Sequence, residues 1–194
     1  FSYIQMQTPD YVYQCQQILS IPRKKEPEHN IEYLTVDGIK AVLDAVDTST
    51  KQGLRNLALL SIMYDSAARV QEIADLCVND FRIEKPSTLR LTGKGQKTRI
   101  IPLMDNTAAL LTKYINLFHP HYKGAHDIPL FSNRNGEKLT RAGITYILNK
   151  YVDLAKEEHP SLVPETVSPH GLRHSKSMHM LQAGVPLIYI RDFL

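Results

Sequence analysis

Cysteine is scarce in this chain. Cys15 and Cys77 are the two among 194 residues, and they do not form a C-x-x-C pair. A disulfide framework is therefore excluded as the organising device, and a reducing, cytoplasmic setting is expected. Cys77 falls on the apolar side of a helix end and reads as a buried thiol. No apolar run is long enough to span a bilayer, so no membrane association is expected. Internal repeats and low-complexity tracts are missing, as are a Walker loop, a G-x-G-x-x-G turn and a G-x-S-x-G elbow. A large charge imbalance is missing too, the formal net charge being +3. The opening Phe1-Ser2-Tyr3-Ile4-Gln5 does not read as a signal peptide. It lacks an initiator methionine, and Ile190-Arg191-Asp192-Phe193-Leu194 stops inside an apolar pattern. Both ends are expected to be cuts within a longer protein.

What the chain does have is enough apolar material for a core, 43% of its residues, arranged in two different periods. Tyr11 to Leu19 reads as the end of a helix. The charged stretch from Ile21 to Asn30 has two prolines and no apolar period, so it reads as a linker. The pattern thus divides into residues 1–30 and a domain over 31–194. Thr35 can cap a helix reaching about Val46, with Ile39, Val42, Leu43 and Val46 on one face. A helix from about Gln52 to Asp65 carries apolar residues on most sides and is expected to be buried all round. Ser66-Ala67-Ala68 leads into a short helix ending near Leu76.

The period then becomes two. Phe81 to Glu84, Thr88 to Leu91 and Thr98 to Ile101 predict three short antiparallel strands, with Gly93 to Lys97 turning between the last two and Pro102 ending the third. Helical patterns return from Asn106 to Phe118 and from Thr140, with Ile144, Ile147, Leu148 and Val152 inward. Ser168-Pro169, an N-cap followed by proline at the first helical position, opens a further helix that runs from His170 to about Ala183. Gly184 stops it, and Pro186 restarts another. The expected class is α+β, mostly helical with one small three-stranded antiparallel sheet.

Three segments carry candidate chemistry. In His170-Gly171-Leu172-Arg173 the histidine and arginine share a helix face in the first turn, where backbone N–H groups and the helix dipole favour an anion. Histidine can move a proton near neutral pH, and arginine can fork onto two phosphate oxygens. In Ala68-Arg69-Val70-Gln71-Glu72 the arginine and glutamate also share a face, and Glu72 could orient a second cation or ring. The third segment is the hairpin. From Arg82 to Arg99 stand Arg82, Lys85, Arg90, Lys94, Lys97 and Arg99 against Glu84 alone, a local +5. Such a basic strip is a polyanion footprint or, equally, a solvated sheet edge guarded by cations. Lys94, flanked by Gly93 and Gly95, could protonate a leaving alkoxide, and Lys97 is its rival. Each segment also has a plain structural alternative: a capping histidine, an intrahelical ion pair, a turn lysine kept for solubility. His170 and His174 stand four apart, but glycine at 171 breaks the H-E-x-x-H pattern. His119, His121, His126 and Asp127 lack a regular ligand spacing, so no metal is expected.

Taken in order and at compatible spacing, the helix Ala68 to Leu76, the hairpin Leu91 to Leu103, the helix start His170 to Ser175 and the tail Gly184 to Leu194 resemble the catalytic domain of the tyrosine recombinases, the phage integrase family. The resemblance covers roughly Ile31 to Leu194 and implies roles. Arg69 and Arg173 would hold the nonbridging oxygens of a scissile DNA phosphate, His170 would assist proton transfer, Lys94 would protonate the 5′-hydroxyl leaving group, and Glu72 would brace the site. Lys97, Arg99, Arg90, Arg141 and His174 would contact double-stranded DNA. It implies no metal and no cofactor, strand exchange through a 3′-phosphotyrosine, and a homotetramer on two DNA sites for the full-length protein, with residues 1–194 alone a monomer. Residues 1–30 would be the last part of an N-terminal DNA-clamping domain plus linker, so DNA affinity without the rest should be weak and salt-sensitive. The nucleophilic tyrosine would lie past Leu194. Tyr189 fits an apolar packing position, and Tyr146 and Tyr151 read as structural. Two other functions share these residues: a non-catalytic DNA-binding protein on the same fold, and a type IB topoisomerase.

Overall fold

The computed structural model describes residues 2–22, 33–120 and 128–194, with backbone alone for Ser2, Gln5 and Lys94. The chain divides into two compact units, Phe1–Ile31 and Glu32–Leu194. The first contains helices α1 (Ser2–Gln7) and α2 (Val12–Leu19), joined by a turn at Pro9–Tyr11. Most of the expected linker, from Arg23, lies outside the described residues.

In the second unit, the short polar side chains of Thr35, Thr50, Thr140 and Ser168 start four of the described helices by accepting an N–H of the first turn. The Thr35 hydroxyl accepts from Gly38 at 3.1 Å and opens α3 (Val36–Asp44). Thr50 does the same at 2.9 Å for α4 (Lys51–Ser66). α4 is buried nearly all round, as apolar residues on most of its sides predict, and Leu59, Leu60, Ile62 and Met63 are almost wholly covered. It ends at Ala67, which is left-handed at φ 47° without being glycine. That conformation costs roughly 1–2 kcal/mol and makes the sharp corner that leads, through Arg69, into α5 (Val70–Ala74).

The sheet consists of β1 (Phe81–Arg82), β2 (Thr88–Thr92) and β3 (Thr98–Pro102) in the order β1-β2-β3, antiparallel throughout. β1 is shorter than expected because Ile83 and Glu84 turn out into solvent. Leu89, Leu91 and Ile101 face the core. Arg99 pairs with Leu91 across the strands and so faces inward as well, whereas Arg90 pairs with Ile100 on the outer side. α6 (Asp105–Phe118) follows, then α7 (Arg141–Glu158), whose Ile144, Ile147, Leu148 and Val152 are all buried. α8 (Pro169–Gln182) begins where the Ser168 hydroxyl accepts from Gly171 at 3.0 Å, and α9 (Leu187–Phe193) follows the turn at Gly184. α6 and α8 pack on α4, while α3 and α5 pack on α7. The architecture is mostly helical with one three-stranded antiparallel sheet.

One buried polar cluster fastens three helices. The Lys176 ammonium on α8 lies 3.1 Å from Asp65 Oδ1 on α4 and 5.1 Å from the centre of the Tyr64 ring. The other oxygen of Asp65 accepts the Met104 backbone N–H at 2.8 Å, at the start of α6. Beside it the Tyr64 hydroxyl meets His179 Nδ1 at 2.8 Å. Burial pushes the His179 imidazole pKa down, and the nearby Lys176 charge acts in the same direction.

Two further expectations need correction. Cys77 is half-buried rather than buried, because α5 ends at Ala74 and leaves the thiol beyond its apolar face. Tyr189 is 65% exposed rather than packed, because α9 turns Ile190 inward and carries Leu187, Ile188 and Tyr189 on its open side. Among the described residues no helix is long and apolar enough to cross a membrane.

Candidate functional site

The site is organised around Glu72. As the third residue of α5, it can fold back on the residue preceding the helix, as a capping-box glutamate does. Its Oε2 accepts the Arg69 backbone N–H at 2.8 Å. Its Oε1 lies 3.1 Å from Arg69 Nη1. From the sheet, Arg99 reaches the same carboxylate with both terminal nitrogens, each at 2.8 Å. This fork-on-carboxylate geometry is the strongest way to join the two groups. The Glu72 side chain is only 2% exposed. Burial alone would raise its pKa, but the hydrogen bonds and charge of Arg99, with the bonds from Arg69, outweigh that and hold it below the usual carboxylate range. Glycine at 93 leaves room for this arrangement, since a Cβ there would stand 2.8 Å from Glu72 Oε1.

Arg173 approaches from α8. Its Nη1 donates to the Ala67 carbonyl at 2.7 Å and its Nη2 to the Leu194 carbonyl at 2.6 Å. The left-handed corner at Ala67 therefore supplies one of the anchors that aim this guanidinium. Its pKa is pushed down to about 10, first by burial and then by repulsion from Arg69 and Arg99, with Glu72 acting the other way. It remains charged at neutral pH, and the repulsion means that the three arginines share one field. Three guanidiniums around one carboxylate leave a surplus of two positive charges. Arg69, 59% exposed at its side chain, carries that surplus to the surface. A group of this kind attracts an oxyanion and can bind it bidentately.

Two clefts flank the cluster. One, of about 460 Å³, is lined by Arg69, Gly93, Lys97, Thr98 and Arg99. The other, of about 1030 Å³, includes Val70, Gln71, Arg141, Tyr146, Ser168 and His170. Val70, the residue after Arg69, lines the second cleft, but none of the cluster's own charged residues does. His170 occupies the first turn of α8 and is exposed, as is Arg141 at the start of α7.

The expected site residues therefore fall into groups. Arg69, Glu72, Arg99 and Arg173 come together, Lys97 borders them, and His170 and Arg141 share the second cleft. Lys94 lies in the turn Lys94–Gln96 between β2 and β3, and its side chain is outside the described residues. Arg90 is separated from the group. It points to the outer side of the sheet, where its Nε and Nη2 lie 2.8 and 2.7 Å from Asp80 Oδ1. His174 lies edge-on to the Tyr33 ring, with centroids 6.1 Å apart. Of the histidine loop, His119 places Nε2 3.1 Å from the Leu130 carbonyl, and His121, His126 and Asp127 are outside the described residues.

Sequence reasoning treated Arg99 as a surface cation and missed its grip on Glu72. The signal was present: Arg99 stands two residues before the core residue Ile101, and a period of two puts both on one face. It also took Tyr146 as structural, whereas Tyr146 is 71% exposed and lines the cleft with His170. Tyr151 is buried, its hydroxyl accepting from Asn56 Nδ2 at 2.9 Å.

Recombinases of known structure share this fold. The XerH site-specific recombinase, solved in a pre-cleavage complex with its difH substrate, superposes with a TM-score of 0.69 at 26% identity, over 84% of this chain and 46% of that one. The model of the phage integrase family matches residues 32–194, and the chain belongs to that family. A Sinorhizobium fredii protein designated integrase/recombinase y4rC is 35% identical over 185 residues, which is 95% of this chain and 54% of that protein. Tyrosine recombinase XerD of Listeria monocytogenes is 32% identical over 182 residues, covering 91% and 58%. The chain thus spans little more than half the length of these relatives.

Proposed function

We propose that the chain is the catalytic part of a site-specific DNA recombinase that cuts and rejoins strands through a 3′-phosphotyrosine. Arg69 and Arg173 hold the nonbridging oxygens of the scissile phosphate and neutralise the charge that grows on them in the pentacovalent transition state. His170 assists proton transfer, Lys94 protonates the departing 5′-oxygen, and Glu72 braces Arg69. Lys97, Arg141 and His174 contact double-stranded DNA around the phosphate. The chemistry needs no metal and no nucleotide, because the bond energy is kept in the phosphotyrosine ester. The nucleophilic tyrosine comes from outside residues 1–194, and the full-length protein works as a homotetramer on two DNA sites, while residues 1–194 alone are monomeric.

One observation carries this reading: Arg69 and Arg99, from separate segments, grip a single buried carboxylate, and Arg173 from α8 is anchored on the Ala67 carbonyl, two residues before Arg69. Family membership and the difH complex of XerH point the same way. The test uses the full-length protein and a pool of nicked duplexes spanning the DNA on either side of its gene. A nick just beyond the cut lets the freed strand diffuse away and traps the ester. A denaturant-resistant protein–DNA adduct is expected, mapping to a tyrosine outside residues 1–194. An adduct on any tyrosine within them would refute the assignment of the nucleophile, and no adduct with any duplex would refute the recombinase reading.

A further inference from the structure

We propose that Arg99 is a positioning residue: its fork onto Glu72 clasps the β2–β3 hairpin to α5 and so sets where Lys94 delivers its proton. The inference rests on the recombinase reading and adds a residue and a mechanism to it. Lys94 and Arg69 belong to different elements, and DNA cleavage needs both at one phosphate. A hairpin tip is poorly fixed by its own ladder, and its glycines loosen it further. Here the last ladder pair before the turn is Thr92 with Thr98, and Arg99 is the next residue along β3. Among the described residues, its two bonds to Glu72 are therefore the side-chain fastening nearest the tip that ties the sheet to α5.

Glu72 receives the hairpin from both sides of the turn. Arg99 grips it from β3, and Gly93 at the end of β2 packs so closely that a Cβ would intrude on Oε1. The same carboxylate holds the Arg69 backbone N–H and guanidinium. One buried group thus fixes the distance between the phosphate-binding arginine and the base of the loop bearing the acid. The Arg99 side chain is 19% exposed at the ion pair, and its Nε is buried without a hydrogen-bond partner among the described residues. A surface arginine recruited for DNA would keep Nε in water. This one gives up that solvation and is committed to the clasp.

The proton transfer offers a way to separate positioning from general support of the fold. In the cleavage step the tyrosine hydroxyl gives up its proton, with His170 assisting, as its oxygen bonds to phosphorus; the bond from phosphorus to the 5′-oxygen breaks, and Lys94 gives that oxygen its proton. If the bridging oxygen is replaced by sulfur, the 5′-thiolate leaves without needing the proton. Damage that acts through Lys94 should therefore largely disappear with the sulfur substrate.

The experiment compares single-turnover cleavage of both substrates, on the duplex that forms the adduct, by full-length wild type, Arg99→Met, Arg99→Lys and Gly93→Ala. Arg99→Met is expected to slow cleavage of the oxygen substrate by about 10²-fold, the scale of a misplacement near 1 Å, but the sulfur substrate by less than about 10-fold. Arg99→Lys keeps the charge and loses the fork, so it should fall between Arg99→Met and wild type. Gly93→Ala pushes on the same Glu72 oxygen from the other arm of the hairpin and should show the same split, which keeps the test decisive if Arg99→Met does not fold. Equal slowing of both substrates, or unchanged rates with both, would overturn the proposal. A wild type that cuts neither substrate would instead sink the recombinase reading on which it stands.

Discussion

Two buried carboxylates, Glu72 and Asp65, hold cations in this molecule, and they do so to different ends. Asp65 is 4% exposed and faces one ammonium, that of Lys176, itself 9% exposed. Charges there balance one to one, the second oxygen is taken by a backbone N–H, and an aromatic ring covers the cation. Nothing is left over for a ligand. Glu72 is as deeply placed, at 2% exposure, yet it gathers Arg69 and Arg99 and sits in the field of Arg173. The group has more positive charge than it can satisfy internally. Burial and ion pairing are common to both clusters, so neither marks function; the uncancelled charge does. A balanced buried pair holds the fold, and an unbalanced one leaves charge that attracts an anion from outside.

Four measurements would break or sharpen this contrast. The largest expected effect is on folding. Lys176→Met should destabilise the protein by about 3–5 kcal/mol, because it strands Asp65 in the interior without its counter-charge; denaturant titration reads this directly, and a loss below about 1 kcal/mol would show that Asp65 finds solvent instead. Next, Arg173→Ala in the full-length protein should slow strand cleavage by roughly 10²–10³-fold if it stabilises the transition state. A fall in DNA affinity with unchanged single-turnover rate would make it a docking residue.

The third effect concerns acid. Glu72 is held below its ordinary pKa of 4.5, so the unfolded chain takes up its proton more readily than the folded one. The stabilisation is complete above that ordinary value and fades as pH falls from it through the lower folded value. Denaturation followed from about pH 7 to about pH 3 should show a shallower acid loss for Glu72→Gln than for wild type, and parallel curves would contradict the assignment. The smallest effect is simple anion binding. Sulfate at tenfold excess over its Kd should stabilise wild type by about 1.4 kcal/mol. Lys176→Met should keep that increment and Arg173→Ala should lose it. Equal increments in both variants would place the anion elsewhere.

Much of the fold was readable along the chain because its signals are local. Thr35 and Ser168 can cap helices whatever lies around them. The inward residues of α7 follow from a period near 3.6 and the core residues of β2 from a period of two. The errors have equally specific reasons. β1 shortened and Tyr189 opened outward because edges and helix faces are decided by what packs against them. Arg90 and Arg99 look alike in sequence, two cations in one basic strip, yet strand register sends one to Asp80 and the other to Glu72.

The sequence by itself determined the helices, the hairpin and the residue types that could meet a phosphate, since capping, turn chemistry and hydrophobic period act over a few residues. Which cations would share a field was settled only in three dimensions. Coulomb interaction depends on separation in space and on burial, and residues 69, 99 and 173 become neighbours only when α5, β3 and α8 pack around one carboxylate.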